Sequence, residues 1–156
     1  MKPNNVTRLL DSRKITYKAI ELPAEKHGAM ETARLLNVEP ERVFKTIVVK
    51  REGKGKPILA IIPGPCEVVL KALARAVGEK KVLLPTEREA EQLTGLHAGG
   101  ISPLALLNRG FQVVMDSSAD LFAEIHISGG QRGLNIRISP KDVVALTKAI
   151  VAKISS

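Results

Sequence analysis

The chain has 156 residues, with 24 Lys and Arg against 16 Asp and Glu, giving a net charge of +8, and one cysteine. A chain of about 150 residues can bury roughly two-thirds of its unfolded surface, so one domain over residues 1–156 needs no disulfide or metal staple. A lone cysteine excludes an intramolecular disulfide and a cysteine-built zinc site, and no apolar run nears the ~18 residues of a membrane span.

The start of the chain, Met1 to Asn5, lacks an apolar signal core, so a cytoplasmic protein with no membrane partner is expected. The basic balance favours a polyanionic partner. Aromatic residues make up only 3% of the chain, with no tryptophan, so base stacking is poorly supplied and backbone contacts should dominate any RNA recognition.

Asn4 and Asn5 can cap a first helix carried by Val6, Leu9 and Leu10. A strand is expected near Tyr17 to Glu21, a loop from Pro23 to Gly28, and a helix through Met30, Ala33 and Leu36 up to Asn37. His27 has no identifiable carboxylate or nucleophile beside it and reads as a solvated loop histidine rather than a general base. Phe44 to Val49 and Ile58 to Ile62 are β-rich runs joined by a turn over Gly53 to Pro57, and their apolar continuity marks central strands. Lys45 stands out there. A lysine entering a central strand either places its ammonium at a pocket mouth or snorkels from the strand's start.

Pro63-Gly64-Pro65 breaks the chain before an amphipathic helix through Val69, Ala72, Leu73, Ala76 and Val77 that ends at Gly78. Val82 to Leu84 is a short strand, and Thr86 with Glu89 has capping-box spacing for a helix over Arg88 to Leu93. The long connection from Thr94 to Leu104 contains glycines and a proline, but also Ile101 and Leu104, which a surface linker does not need. It is expected to fold back and wall a cleft. After a strand at Val113 to Met115, Asp116, Asp120 and Glu124 suggest solvated or capping roles. Ser139-Pro140 opens a last helix packed by Val143, Val144, Leu146 and Ile150. Strands that do not alternate strictly with helices argue for an α+β fold, a curved mixed sheet or small barrel with helices around it.

Between the alternating runs Ile125/Ile127 and Leu134/Ile136/Ile138 lies Ser128-Gly129-Gly130-Gln131-Arg132-Gly133, expected as the tip of a hairpin. Its three glycines permit positive φ and leave backbone N–H groups uncovered for an anionic or carbonyl oxygen, with Arg132 as a charged fork. The plainer alternative is a hairpin that merely turns the chain. Cys66 reads as a small packed thiol with no histidine beside it in sequence. His27, His97 and His126 lack metal spacing, and His126 is expected to face solvent from its strand. No Walker loop or Rossmann fingerprint occurs, and no convincing nucleophile is evident.

Three segments taken together, Val43-Phe44-Lys45-Thr46, Gly99-Gly100-Ile101-Ser102-Pro103-Leu104 and Ser128 to Leu134, resemble the YbaK family in order and spacing. These are bacterial Cys-tRNA(Pro) deacylases related to the editing domain of prolyl-tRNA synthetase. The resemblance covers nearly the whole chain. It implies a trans-editing hydrolase that needs no cofactor or metal, with aminoacylated tRNA(Pro) as substrate and prolyl-tRNA synthetase as a candidate partner. It also implies a substrate whose own thiol attacks its ester, which accounts for the missing nucleophile. By matched position, Lys45 resembles the essential lysine, with Thr46 beside it. Gly99, Gly100, Ile101, Ser102 and Pro103 resemble the pocket wall. Ser128, Gly129, Gly130, Arg132 and Gly133 resemble the loop around the aminoacyl carbonyl and terminal ribose. Asn135 stands where the family commonly has aspartate, and the loop Glu25 to Ala29 lacks the family's frequent aromatic. The alternative of a different class is a binding module of the same fold that holds the tRNA acceptor end or a synthetase without turnover.

Overall fold

The computed structural model describes residues 2–25 and 27–156. Lys26, within the expected loop from Pro23 to Gly28, and Met1, at the start of the chain, lie outside the described residues. Helix α1 (Asn5–Ser12) starts at Asn4, whose side chain accepts from the Thr7 N–H while the Thr7 hydroxyl accepts from the Asn4 N–H, so two orphan donors of the first turn are satisfied reciprocally. Strand β1 (Tyr17–Glu21) and helix α2 (Ala29–Leu36) follow, then strands β2 (Phe44–Arg51) and β3 (Ile58–Pro63). Helix α3 (Leu70–Val77) leads to the short β4 (Val82–Leu83). Helix α4 (Glu87–Thr94) has the Thr86/Glu89 capping box expected from the spacing. The remainder is β5 (Gln112–Asp116), the hairpin β6 (Ile125–Ser128) and β7 (Leu134–Ile138), α5 (Pro140–Thr147) and β8 (Ile150–Ala152).

The strands form two sheets, and among the described residues neither closes into a barrel. The mixed-sheet form of the α+β expectation therefore holds, and its small-barrel form does not. The larger sheet runs β4-β2-β3-β5-β8, with β3, β5 and β8 parallel and β2 antiparallel to both its neighbours. The smaller, β1-β7-β6, is antiparallel throughout. Every residue of β3 is buried because it contributes to two cores: Leu59 and Ile61 face the smaller sheet, while Ile58, Ala60 and Ile62 face α3. The first core gathers Val6, Leu10, Phe44, Ile125, Ile127, Ile136 and Ile138 between the sheets. The second packs Leu73 and Ala74 of α3 against the far side.

One expectation fails here, and one is narrowed. Ile150 was placed with the last helix, but Lys148 takes the left-handed conformation at φ 56°, ends α5, and frees Ile150 to pair in parallel with Val114. Asp116 does cap, accepting from the Ser118 N–H, yet it is not solvated: it is 3% exposed and also accepts from the N–H groups of Ile154 and Ser155 at 2.9 and 3.0 Å. It thereby ties the segment after β8 to the end of β5.

Candidate functional site

Strand β4 pairs with β2 only at Lys50 and Arg51, so among the described residues the edge of the first half of β2 carries no strand partner on that side. Along this edge lies a cavity of about 500 Å³, a size suited to a small ligand or the end of a larger one. Lys45 and Thr46 line it from β2, Gly99 and Ile101 from the long connection, and Ser128, Gly133 and Asn135 from the hairpin. Segments more than 80 residues apart thus meet at one opening. The expected fold-back of the 94–104 connection is observed.

Lys45 is half-buried, pairs across the sheet with Ile62, and its ammonium has neither an ion pair nor a hydrogen bond among the described residues. A charge held at a cavity wall without a counter-ion is available to a ligand. His27, read from sequence as merely solvated, lines the cavity and sits 2.7 Å from the Pro23 carbonyl oxygen through Nε2. Leu84, Pro85 and Glu87 supply part of the opposite wall, and no motif in the sequence marks them.

The other predicted residues support the wall rather than form it. Gly129 N–H donates to the Leu134 carbonyl at 2.8 Å and Gly130 N–H to the Ser128 hydroxyl at 3.2 Å, so the two amides expected to be open to an oxygen are used within the hairpin. The positive φ of Gly130 and Gly133, +92° and +83°, closes the tip. Gly99 and Gly133 keep N–H groups without a partner among the described residues, and both line the cavity. Arg132 does not line the cavity; its Nε donates to the Ala98 carbonyl at 2.7 Å and laces the hairpin to the connection. Ser102 is fully buried, its hydroxyl accepting from the Leu104 N–H, and Pro103 lines a separate small cavity beside Leu59 and Val113. Cys66 is free and half-buried and does not line the main cavity.

Gly100 holds the two loops together by having no side chain. A Cβ there would lie 2.9 Å from Gln131 Cα and 3.1 Å from the Arg132 amide nitrogen, both backbone atoms that cannot swing aside. Gly100→Ala is therefore expected to cost about 1–3 kcal/mol, the usual range for overpacking, read as a lower urea midpoint. An unchanged midpoint would mean that these loops separate freely.

His126 was expected to face solvent, but it is 4% exposed. The alternation is as read, with Ile125 and Ile127 on the core side and His126 and Ser128 on the other. The chain entering β2 runs beside β6, Val43 bridging in parallel to His126, and the face that carries His126 is buried there as well. His126 Nδ1 lies 2.8 Å from Asn135 Oδ1, joining a buried imidazole to a cavity-lining carboxamide. Burial pushes the His126 pKa below its ordinary value. The Asn135 hydrogen bond and the Glu124 charge oppose that shift, and the Arg137 and Arg42 charges reinforce it, so the ring is neutral near pH 7.

Residues 24–146 match the family model of the aminoacyl-tRNA editing domain. The chain belongs to that family. A relative from Enterococcus faecalis described as a Cys-tRNA(Pro)/Cys-tRNA(Cys) deacylase, EbsC, is 34% identical over 154 residues, spanning 97% of this chain and 93% of its own. The crystal structure of a hypothetical protein superposes with a TM-score of 0.89 at 25% identity, covering 98% of this chain and all of that one. A crystal structure described as a trans-editing enzyme for prolyl tRNA synthetase gives 0.83 at 27% identity, covering 100% and 99%. In this editing domain all three sequence segments that carried the resemblance reach the cavity, beside the segments around His27 and Leu84. Among the described residues no helix is long and apolar enough to cross a membrane, and no group of His, Cys, Asp and Glu could hold a metal ion.

Proposed function

We propose that this chain hydrolyses the ester of mischarged aminoacyl-tRNA, with cysteinyl-tRNA(Pro) as its substrate, acting in trans to prolyl-tRNA synthetase in the cytoplasm. The observation that carries this reading is the convergence of Lys45, the 94–104 connection and the hairpin on one cavity in a chain of the editing family. Cysteine and proline are close in size, so a synthetic pocket discriminates them poorly and a second, hydrolytic site supplies the difference. The net charge of +8 favours a polyanionic carrier.

The cavity walls supply Thr46 and Ser128 hydroxyls but no nucleophile paired with a base: among the described residues His27 contacts a carbonyl and His126 a carboxamide. In the mechanism that fits, the substrate's thiol gives up its proton and its sulfur attacks the ester carbonyl carbon. A C–S bond forms, the C–O bond to the ribose breaks, and the ribose oxygen takes a proton. Water then opens the thioester ring. The protein orients the ester and stabilises the developing oxyanion, for which the Lys45 ammonium and the N–H groups of Gly99 and Gly133 remain uncommitted.

One experiment tests both the reaction and the source of the sulfur. Cys66→Ala should release cysteine from tRNA(Pro) as fast as the unaltered protein, because Cys66 lies off the cavity, and both proteins should release serine poorly. A cysteine thiol, with a pKa near 8.5, offers some thiolate at neutral pH, whereas a serine hydroxyl offers essentially none. A folded but inactive Cys66→Ala, or serine released as fast as cysteine, would overturn the substrate-assisted mechanism. Tight binding of the acylated tRNA without ester loss would instead favour a non-catalytic acceptor-end binding module.

A further inference from the structure

The hairpin register puts His126 opposite Arg137 and Ser128 opposite Asn135, so His126 and Asn135 are diagonal neighbours on one sheet face. Ser128 and Asn135 reach the cavity, and His126, two pairs further along the ladder, is buried beside the chain at Val43 and does not line it. We propose that His126 is a positioning residue that holds the Asn135 carboxamide with its N–H donors turned into the cavity, where they meet an oxygen atom of the bound ligand. The proposal rests on the deacylase reading for the identity of that ligand.

The first step is the direction of the His126–Asn135 bond. Asn135 presents Oδ1 to His126 Nδ1 at 2.8 Å, and a carboxamide oxygen only accepts, so Nδ1 carries the hydrogen. The second step concerns the other end of the amide. Asn135 Nδ2 has no hydrogen-bond partner among the described residues, yet it is not sealed from solvent. The one sealed side-chain polar atom without a hydrogen bond among the described residues is Arg137 Nε, which lies 3.5 Å from Glu124 Oε1 outside hydrogen-bond geometry. Asn135 as a whole is 4% exposed, and it lines the cavity. The opening through which Nδ2 meets solvent is therefore the cavity itself.

This arrangement gives the site a directional donor that carries no charge. A carboxylate at the same position would present only acceptors, repelling the ester carbonyl oxygen that an N–H group binds. Without the imidazole, the amide could rotate by half a turn at little cost and present its oxygen instead. With Nδ1–H beneath it, that rotation would set an NH₂ group against another donor and lose a buried hydrogen bond.

The first test needs no substitution. Long-range ¹H–¹⁵N spectra of the imidazole should show His126 in the Nδ1–H tautomer near pH 7. An Nε2–H tautomer would make Nδ1 the acceptor, turn the amide oxygen to the cavity, and overturn the proposal. The second test is single-turnover release of cysteine from cysteinyl-tRNA(Pro). Asn135→Leu should slow it by about 10²-fold, typical of a lost oxyanion-type donor. His126→Phe should slow it by a similar factor. The double variant should be no slower than Asn135→Leu alone, since both act through one amide. His126→Gln, which keeps an N–H donor, should recover part of the rate, a recovery that loss of packing would not produce. Losses that add across the double variant would overturn the proposal. If the unaltered protein cleaves no aminoacyl-tRNA, the deacylase reading fails, and the tautomer still decides the orientation of the amide.

Discussion

Lys45→Ala is expected to lower the rate of deacylation by about 10²- to 10³-fold, or about 2.7–4 kcal/mol of transition-state stabilisation, while the protein stays folded. The reason is the setting of the ammonium: at a cavity wall, half-buried, with no counter-ion among the described residues. A paired lysine would leave an uncompensated carboxylate when removed, and the variant would report on stability as much as on function. Here no such partner is stranded, so loss of rate and loss of stability separate. Lys45→Met is the sharper companion, since it keeps most of the chain length that packs along β2 and discards only the charge. Single-turnover rates set beside urea midpoints decide the matter. A folded Lys45→Met that cleaves within a few-fold of the unaltered rate would remove Lys45 from the chemistry.

What the sequence disclosed about this site follows from the range of the interactions involved. The cap at Asn4, the capping box at Thr86 and the β6–β7 hairpin were legible because their partners lie a few residues apart and the spacing itself is the signal. The role of Lys45 stayed divided between pocket and snorkelling. What frees its strand edge is the shortness of β4, some 35 residues away, which meets β2 only at Lys50 and Arg51. His126 was misplaced for a similar reason: alternation correctly put it opposite Ile125 and Ile127, but nothing local revealed that this face is buried as well, beside the chain at Val43. The tip of the hairpin misled in the opposite direction. Its glycines looked like open donors, whereas the Gly129 and Gly130 amides are used by Leu134 and Ser128 within seven residues, and Arg132 reaches back to Ala98. β8 was hidden because the residue ending α5 in the left-handed conformation is Lys148, where a glycine would have announced the stop.

Asp116→Ala is expected to destabilise the protein by about 3 kcal/mol, because it strands the buried N–H groups of Ile154 and Ser155 as well as the cap on Ser118. For a chain of this size that corresponds to a fall in melting temperature of about 6–12 °C. Asp116→Asn tests the charge separately, since its carboxamide oxygen can still accept from the same amides. Burial pushes the Asp116 carboxyl up, but the hydrogen bonds from Ser118, Ile154 and Ser155 together outweigh it and hold the pKa below its ordinary value. With the folded value depressed, the charge contributes its full stability above the unfolded carboxylate range, near pH 3.9, and loses it as pH falls through the lower folded value. The stability gap between the unaltered protein and Asp116→Asn should therefore be widest at pH 6–7 and narrow as the solution is taken below about pH 4. Urea midpoints across that range give the gap directly. A gap of constant size would show that the carboxylate acts through shape and hydrogen-bond count, with no contribution from its charge.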